Sequence, residues 1–330
     1  MTVVTVVGTV REEGLARLRA RAGIEVRTLG DPSPAEILAA MPDTGAILVR
    51  TQRIGADVIA AAPRLQVVSR HGVGYDNVDV AALTARRVPL TLAVTSNMVA
   101  VAEHAFWMML ELVKRGRHVD AATRAGDWSA RARPVSTELL AKTLLVIGFG
   151  RIGSRVAARA RAFEMRVLVL DPYVPAGRIR AAGCEPVGSL AQALTAADLV
   201  TLHCPLTPET RHLIDATALA SLAPTSFLVN TARGGRVDEL ALADALRDGR
   251  LAGAGIDVFE TEPAATAHPL LALPQALVSP HNAGVTVESA GRMAIEAADN
   301  ILAALDGRLD PGAVVNSEVL PETAEVGPAR

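Results

Sequence analysis

Short runs of β-branched residues and leucine alternate along the chain with alanine-rich stretches whose apolar positions recur every three or four residues. A run of four or five apolar residues can be buried on both faces, as a strand of a parallel sheet must be. The stretches between have the length of crossover helices. The first part of the chain reads as strands at Val3–Val7, Ile24–Thr28, Ala46–Val49, Gln66–Ser69 and Pro89–Thr91. A long helical pattern then runs from Asn97 to about Ala122 and carries AFWMMLELV. Beyond a loop of turn formers and arginines, Gly126 to Ser136, strands follow at Leu144–Gly148, Arg166–Leu170, Leu199–His203, Ser226–Asn230, Gly253–Asp257 and Ala276–Ser279. A last helix covers Val287 to about Leu305, ahead of a tail with proline and glycine.

This rhythm predicts an α/β protein with parallel sheets. Five strands in the first series fit a flavodoxin-like sheet, and six in the second match the two halves of a Rossmann domain. The last helix has no strand of its own and is expected to return to the first sheet. The Rossmann domain, 97–285, is then inserted into a discontinuous substrate domain, 1–96 with 286–330. The long helix near 97–122 can pack on a second copy, so a homodimer is expected.

Composition narrows the function classes. At 330 residues, half of them apolar, two domains are expected, and a net charge of −2 supplies no global field for nucleic acid or an anionic membrane. No apolar run approaches the roughly 20 residues of a membrane span, and MTVVTVVGTVREEG lacks the basic start of a signal peptide. Cys184 and Cys204 are too few for a disulfide scaffold or a zinc cluster, so a reducing cytoplasm and no metal are expected. Lys114 and Lys142 are the only lysines, and neither sits where a Schiff-base nucleophile would. Anions are therefore assigned to arginine forks or backbone N–H groups.

The first strand of the second series runs straight into Gly148-Phe149-Gly150-Arg151-Ile152-Gly153 and a helix. The next strand ends at Asp171, roughly 20 positions on. Gly148 permits the tight turn, Gly150 lets backbone approach a pyrophosphate, and Gly153 lets the helix pack on the strand. Phosphates then meet the exposed N–H groups of the helix start. Asp171 can accept both ribose hydroxyls and repel a 2′-phosphate, so NAD is expected rather than NADP. The alternative has the glycines serving the turn alone and Asp171 capping a turn before Pro172. His203 reads either as a nucleotide contact or as a structural residue.

Three polar islands follow later strands, NTARGG at 230–235, DVFETEP at 257–263 and PHNAG at 280–284. Arg233, Glu262 and His281 converging there suit 2-hydroxy acid chemistry. Arginine grips a carboxylate and polarises the C2 oxygen, while the His–Glu pair exchanges the hydroxyl proton. His104, inside a helix after Glu103, reads as a packing residue, and Arg131 and Arg133 as a solvated loop or a reach into a neighbouring subunit.

With SRHGVGYDNVD at 69–79, NMVAVAEHA at 97–105, GFGRIG at 148–153, LVNTARGGRVDE at 228–239, GIDVFETEP at 255–263 and SPHNAG at 279–284, the chain resembles the D-isomer-specific 2-hydroxyacid dehydrogenases. The resemblance implies that Arg233 binds substrate, His281 is the acid/base and Glu262 orients and charges it. It implies that the N–H groups of Val73 and Gly74 hold the substrate carboxylate. It extends cofactor contacts to Val101, Arg151, Ile152, Cys204, Pro205, Thr231, Ala232, Asp257, Ala283 and Gly284. Thr95 and Ala141 stand where the family usually has glycine. Glu262, where the related formate dehydrogenases carry glutamine, favours proton transfer over formate oxidation.

The resemblance is most comfortable with the 3-phosphoglycerate and hydroxypyruvate/glyoxylate branches. Arg50 and Arg70 flank the carboxylate loop and are candidates for a second anion, the alternative being ion pairs within the small domain. About 25 residues after the last helix leave no room for a regulatory domain of usual size. Two rivals share the architecture: an NAD-sensing corepressor of the C-terminal-binding kind and a phosphite dehydrogenase. The chain shows neither the disordered extensions of the first nor the small-domain lysine of the second.

Overall fold

Strand pairs with strand in parallel throughout both sheets of the structure, a computed structural model that describes residues 1–133 and 135–321. Pro134 of the expected loop and residues 322–330 of the expected tail lie outside the described residues. The chain divides into two units, Met1–Asn97 with Val285–Arg330, and Met98–Gly284.

In the first unit β1 (Thr2–Val7), β2 (Ile24–Thr28), β3 (Thr44–Val49), β4 (Val67–Arg70) and β5 (Leu90–Leu92) form one sheet in the order β2-β1-β3-β4-β5. This is the flavodoxin-like order. β3 is buried along its whole length, as its apolar run demands of a central strand covered on both faces. The Val287–Leu305 helix, capped by Thr286 through Ser289 N–H, packs against this sheet and buries Ala294, Ala297, Ala298 and Ile301 among Val4, Val6 and Leu48. Asn316 closes the β5 edge: its Oδ1 accepts from Leu90 N–H at 2.8 Å and its Nδ2 donates to Val88 O at 2.9 Å.

The second unit holds β6 (Thr143–Ile147), β7 (Arg166–Leu170), β8 (Glu185–Pro186), β9 (Leu199–Leu202), β10 (Phe227–Asn230), β11 (Gly253–Ile256) and β12 (Ala276–Val278). Their order is β12-β11-β10-β9-β6-β7-β8, the Rossmann arrangement with one strand more than the six expected. The addition is β8, two residues paired only with β7, too short to leave a hydrophobic pattern. No described helix is long and apolar enough to cross a membrane.

The expected continuous helix from Asn97 is corrected to two, Met98–Lys114 and Gly116–Arg124. Arg115 between them lies in the left-handed region at φ 50°, and the Glu111 carboxylate accepts Arg117 N–H at 2.7 Å, capping the second helix. Ala141 adopts φ 58°, which costs an alanine but not a glycine. Thr95 instead hydrogen-bonds Glu296 through its N–H (3.1 Å) and its hydroxyl (3.0 Å).

His71 follows β4 and is only 6% exposed, with Nε2 donating to Ala290 O at 3.3 Å. Burial, with the charges of Arg50 and Arg70 behind it, pushes the ring down to about 4 against the pull of that carbonyl. An unfolded histidine titrates near 6.5, so the unfolded chain binds the extra proton between roughly pH 6.5 and 4. Stability from this group is complete above that window and falls as pH drops through it. His71→Gln keeps a donor without the titration. Denaturant unfolding of the first unit at pH 7.5 and pH 5 should show the wild type losing about 2 kcal/mol more than the variant. Equal losses would mean that His71 does not carry this acid sensitivity.

Candidate active site

Because all pairings are parallel, the carboxyl ends of β6 to β12 share one edge of the second sheet, and the strand order reverses between β6 and β9. Loops at such an edge form the ligand crevice. Gly148, just past β6, turns the chain at φ 93°. A Cβ there would stand 2.7 Å from Cys204 N, and one at Gly153 would stand 1.9 Å from Gly148 O. The chain's own packing therefore requires both glycines. At Gly150 a Cβ would meet nothing within 4 Å, so glycine there answers to no neighbour in the protein.

Three further observations fit a nicotinamide dinucleotide on this loop. Among the described residues the backbone N–H groups of Gly150, Arg151 and Ile152 donate to no acceptor, although they precede the Gly153–Ala162 helix, the kind of position where anions bind. Asp171 accepts Phe149 N–H at 2.7 Å and Tyr173 N–H at 2.9 Å. It thus braces the loop and caps the Pro172 turn, while each oxygen keeps a lone pair for a ribose hydroxyl. Thr231 Oγ1 is buried without a hydrogen-bond partner among the described residues.

His203, Cys204 and Pro205 follow β9 in the same crevice. His203 Nε2 lies 2.9 Å from Thr201 Oγ1, and burial with the charge of Arg236 pushes the ring down to about 3, so it stays neutral. Burial pushes the Cys204 thiol up. Two residues expected at the cofactor present little surface. Val101 is 5% exposed inside the Met98–Lys114 helix, and Ala283 is 3% exposed with its N–H on Asp257 Oδ2 at 3.0 Å. Gly284 is half-buried at the end of the same loop.

The two residues expected to handle the proton are close. His281 Nδ1 lies 2.6 Å from Glu262 Oε2, and Glu262 Oε1 accepts Phe259 N–H at 2.9 Å. Burial would raise the Glu262 carboxyl, but the His281 and Phe259 hydrogen bonds and the charges of His281 and Arg233 hold it below its ordinary range. His281 stands at φ 51°, its N–H on Asp257 O at 2.7 Å. The buried Asp257 carboxylate also accepts from Ser279 Oγ (2.5 Å) and Asn282 N–H (2.9 Å). His104 Nε2 reaches Ser279 Oγ at 3.0 Å and serves this scaffold. Arg233 is half-buried and extended, in a turn pinned by Asn230, whose Nδ2 donates to Arg233 O at 2.8 Å and whose Oδ1 accepts Ala232 N–H at 3.1 Å.

Sequence reasoning missed two supporting groups. Glu239 accepts Glu260 N–H at 2.7 Å and pairs with His268 Nε2 at 2.9 Å, bracing the loop that carries Glu262. Arg236 is fully buried, its Nη1 donating to Cys204 Sγ. An arginine after two glycines reads as a surface residue, and no sequence signal places it in the interior.

In the first unit the carboxylate-loop candidates lie just past β4, Val73 and Gly74 in a half-buried turn. Arg70 donates Nε–H to Asn77 Oδ1 at 3.2 Å and Nη1–H to His71 O at 2.6 Å, and Arg50 follows β3. Both arginine charges are felt at His71.

Residues 106–283 match the model of the D-isomer specific 2-hydroxyacid dehydrogenase, NAD binding domain. D-3-phosphoglycerate dehydrogenase of Mycobacterium leprae is 45% identical over 305 residues, 90% of this chain and 57% of that protein, so the chain spans little more than half of that relative's length. Glyoxylate reductase of Korarchaeum cryptofilum is 36% identical over 314 residues, 94% of each chain. The structure of an NADPH-dependent glyoxylate/hydroxypyruvate reductase from Sinorhizobium meliloti, in complex with NADP and malonate, superposes with a TM-score of 0.85 at 29% identity, covering 98% of this chain and 99% of that one.

Gly150→Val tests the loop directly. The space around Gly150 is open within the protein, so Tm should move by no more than about 2 °C. NADH affinity by fluorescence titration should nonetheless fall about a hundredfold as backbone and phosphate are held apart. Unchanged NADH affinity would remove the Gly-rich loop from the cofactor site.

Proposed function

This chain belongs to the D-isomer specific 2-hydroxyacid dehydrogenase family, and on that premise we propose that it is an NAD(H)-dependent enzyme interconverting a D-2-hydroxy acid and its 2-oxo acid. The observation that carries the reading is the His281–Glu262 pair at 2.6 Å, on the sheet edge that also carries Arg233. The candidate substrates are 3-phosphoglycerate and hydroxypyruvate or glyoxylate. The nicotinamide, when bound, supplies or accepts the hydride at the substrate C2. In oxidation neutral His281 takes the hydroxyl proton as the hydride leaves C2; in reduction protonated His281 returns a proton to the forming alkoxide. The ionised Glu262 keeps the ring oriented through Nδ1, leaving Nε2 for substrate, and favours its charged form. Arg233 binds the carboxylate and polarises the C2 oxygen.

Asp171 at the end of β7 is the basis for preferring NAD over NADP, because its charge opposes a 2′-phosphate. We assign the Val73–Gly74 N–H groups to the substrate carboxylate on the resemblance, and Arg50 and Arg70 to a second anion on their positions flanking that loop in the sequence. A homodimer in the cytoplasm belongs to the same reading. Exposed Trp107 and Val119, on the two helices that follow Asn97, are the apolar surface offered to a second copy.

Two variants test the mechanism. Arg233→Lys keeps charge but loses the fork, and kcat/KM for 2-oxo acid reduction should fall by about 2–4 kcal/mol of transition-state binding, with NADH affinity retained. Near-normal kcat/KM would take Arg233 out of the site. Glu262→Gln keeps shape but removes the charge that favours protonated His281. Reduction, which declines as pH rises, should shift its profile to lower pH, and oxidation should shift the same way, leaving oxidation comparatively spared at neutral pH. If chemistry-limited profiles stay in place, Glu262 does not set the protonation of His281.

A further inference from the structure

We propose that Arg236 is a buried counter-charge for the phosphates of the dinucleotide, a role that rests on the reading of the second unit as a dinucleotide site. Arg236 lies three residues beyond Arg233 and is 0% exposed. Among the described residues the guanidinium's one hydrogen-bond partner is the Cys204 thiol, and burial keeps that thiol protonated and neutral. Among the described residues Nε and Nη2 have no partner, and no carboxylate forms an ion pair with it. It also feels a charge of the same sign, Arg233. A guanidinium taken out of water without an anion is strongly unfavourable, so the free protein holds here an uncompensated cation.

The placement says what compensates it. Arg236 Nη1 touches Cys204, and Cys204 N lies 2.7 Å from where a Cβ on Gly148 would stand. One residue therefore separates the guanidinium from the Gly-rich loop with its unused N–H groups and the open space at Gly150. An anion bound on that loop would feel Arg236 through packed side chains rather than water, where Coulomb attraction is weakly screened. The diphosphate is the part of a dinucleotide with that charge; the adenosine moiety is neutral. Arg236 then contributes to binding in proportion to ligand charge and not through contact with base or ribose.

The test is calorimetric titration of the intact chain with ADP-ribose, which carries the diphosphate, and with adenosine, which lacks it. Arg236→Met removes the charge while keeping an unbranched chain that suits a buried slot, and Arg236→Lys restores the charge. We expect ADP-ribose to bind about tenfold more weakly to the Met variant, adenosine to change by less than about twofold, and the Lys variant to recover most of the loss. The thermal shift induced by ADP-ribose should shrink in the Met variant while the ligand-free Tm holds or rises. Unaltered ADP-ribose binding in the Met variant overturns the proposal, as does an equal loss for adenosine, which indicates a packing role. Should the Met variant fail to fold, Arg236→Leu and the salt dependence of ADP-ribose binding to the Lys variant decide the same question. A wild type that binds ADP-ribose no better than adenosine overturns the proposal too, and one that binds neither removes the dinucleotide reading beneath it.

Discussion

The Asp257 carboxylate is the fixed point of the candidate site. It is fully buried at the end of β11, and a buried carboxylate is tolerable only when donors replace its water. Here those donors are Ser279 Oγ and the N–H groups of Asn282 and Ala283, all from the loop after β12. Satisfying the charge thus folds that loop onto the end of β11. His281 is left in the left-handed region, with Nδ1 delivered to Glu262. The geometry of the pair follows from neutralising a charge that is not itself part of it. The resemblance implies a cofactor contact for Asp257; the hydrogen bonds add that it orders the loop.

Charge is unevenly distributed along the same edge. Arg233 and Arg236 lie near one another, and the charge of Arg236 helps keep His203 neutral. Glu262 responds to the opposite side of this field, holding its proton less tightly than an ordinary carboxyl because cations and N–H donors surround it. Two neighbouring cations, one of them fully buried, suit a site that receives anions. Neighbouring histidines also differ in their surroundings: His203 is fixed as a neutral group, whereas His281 keeps nearly half of its side chain exposed, as the proposed proton exchange requires.

Strands were legible wherever they are long and central, because burial on both faces writes a continuous apolar run such as TLLVI in β6. β8 was not, since a two-residue edge strand is defined by its partner and not by its own pattern. The break at Arg115 was hidden for a related reason. Apolar spacing persists across it, and what ends the helix is a left-handed residue followed by capping from the Glu111 side chain, a tertiary detail. In the site, the Gly-rich loop and the Arg, Glu and His could be read because each sits at a set offset from a strand end. Arg236 and the Glu239–His268 brace could not be, because their significance lies in what surrounds them.

The three loop glycines show how structure divides a motif that sequence presents as one. Gly148 and Gly153 are demanded from within: a side chain on either would strike backbone of the same unit. They would be glycines in any chain that turned from strand to helix this tightly, which is the structural explanation that the sequence left open. Gly150 is different. It faces open space, its backbone is not in the left-handed region, and its N–H and the two that follow meet no acceptor among the described residues. No internal force selects glycine at that position. A ligand that approaches the loop from outside, closer than a methyl group allows, and that accepts hydrogen bonds would supply such a constraint. Of the motif's three glycines, it is the one the fold does not need that speaks for the ligand.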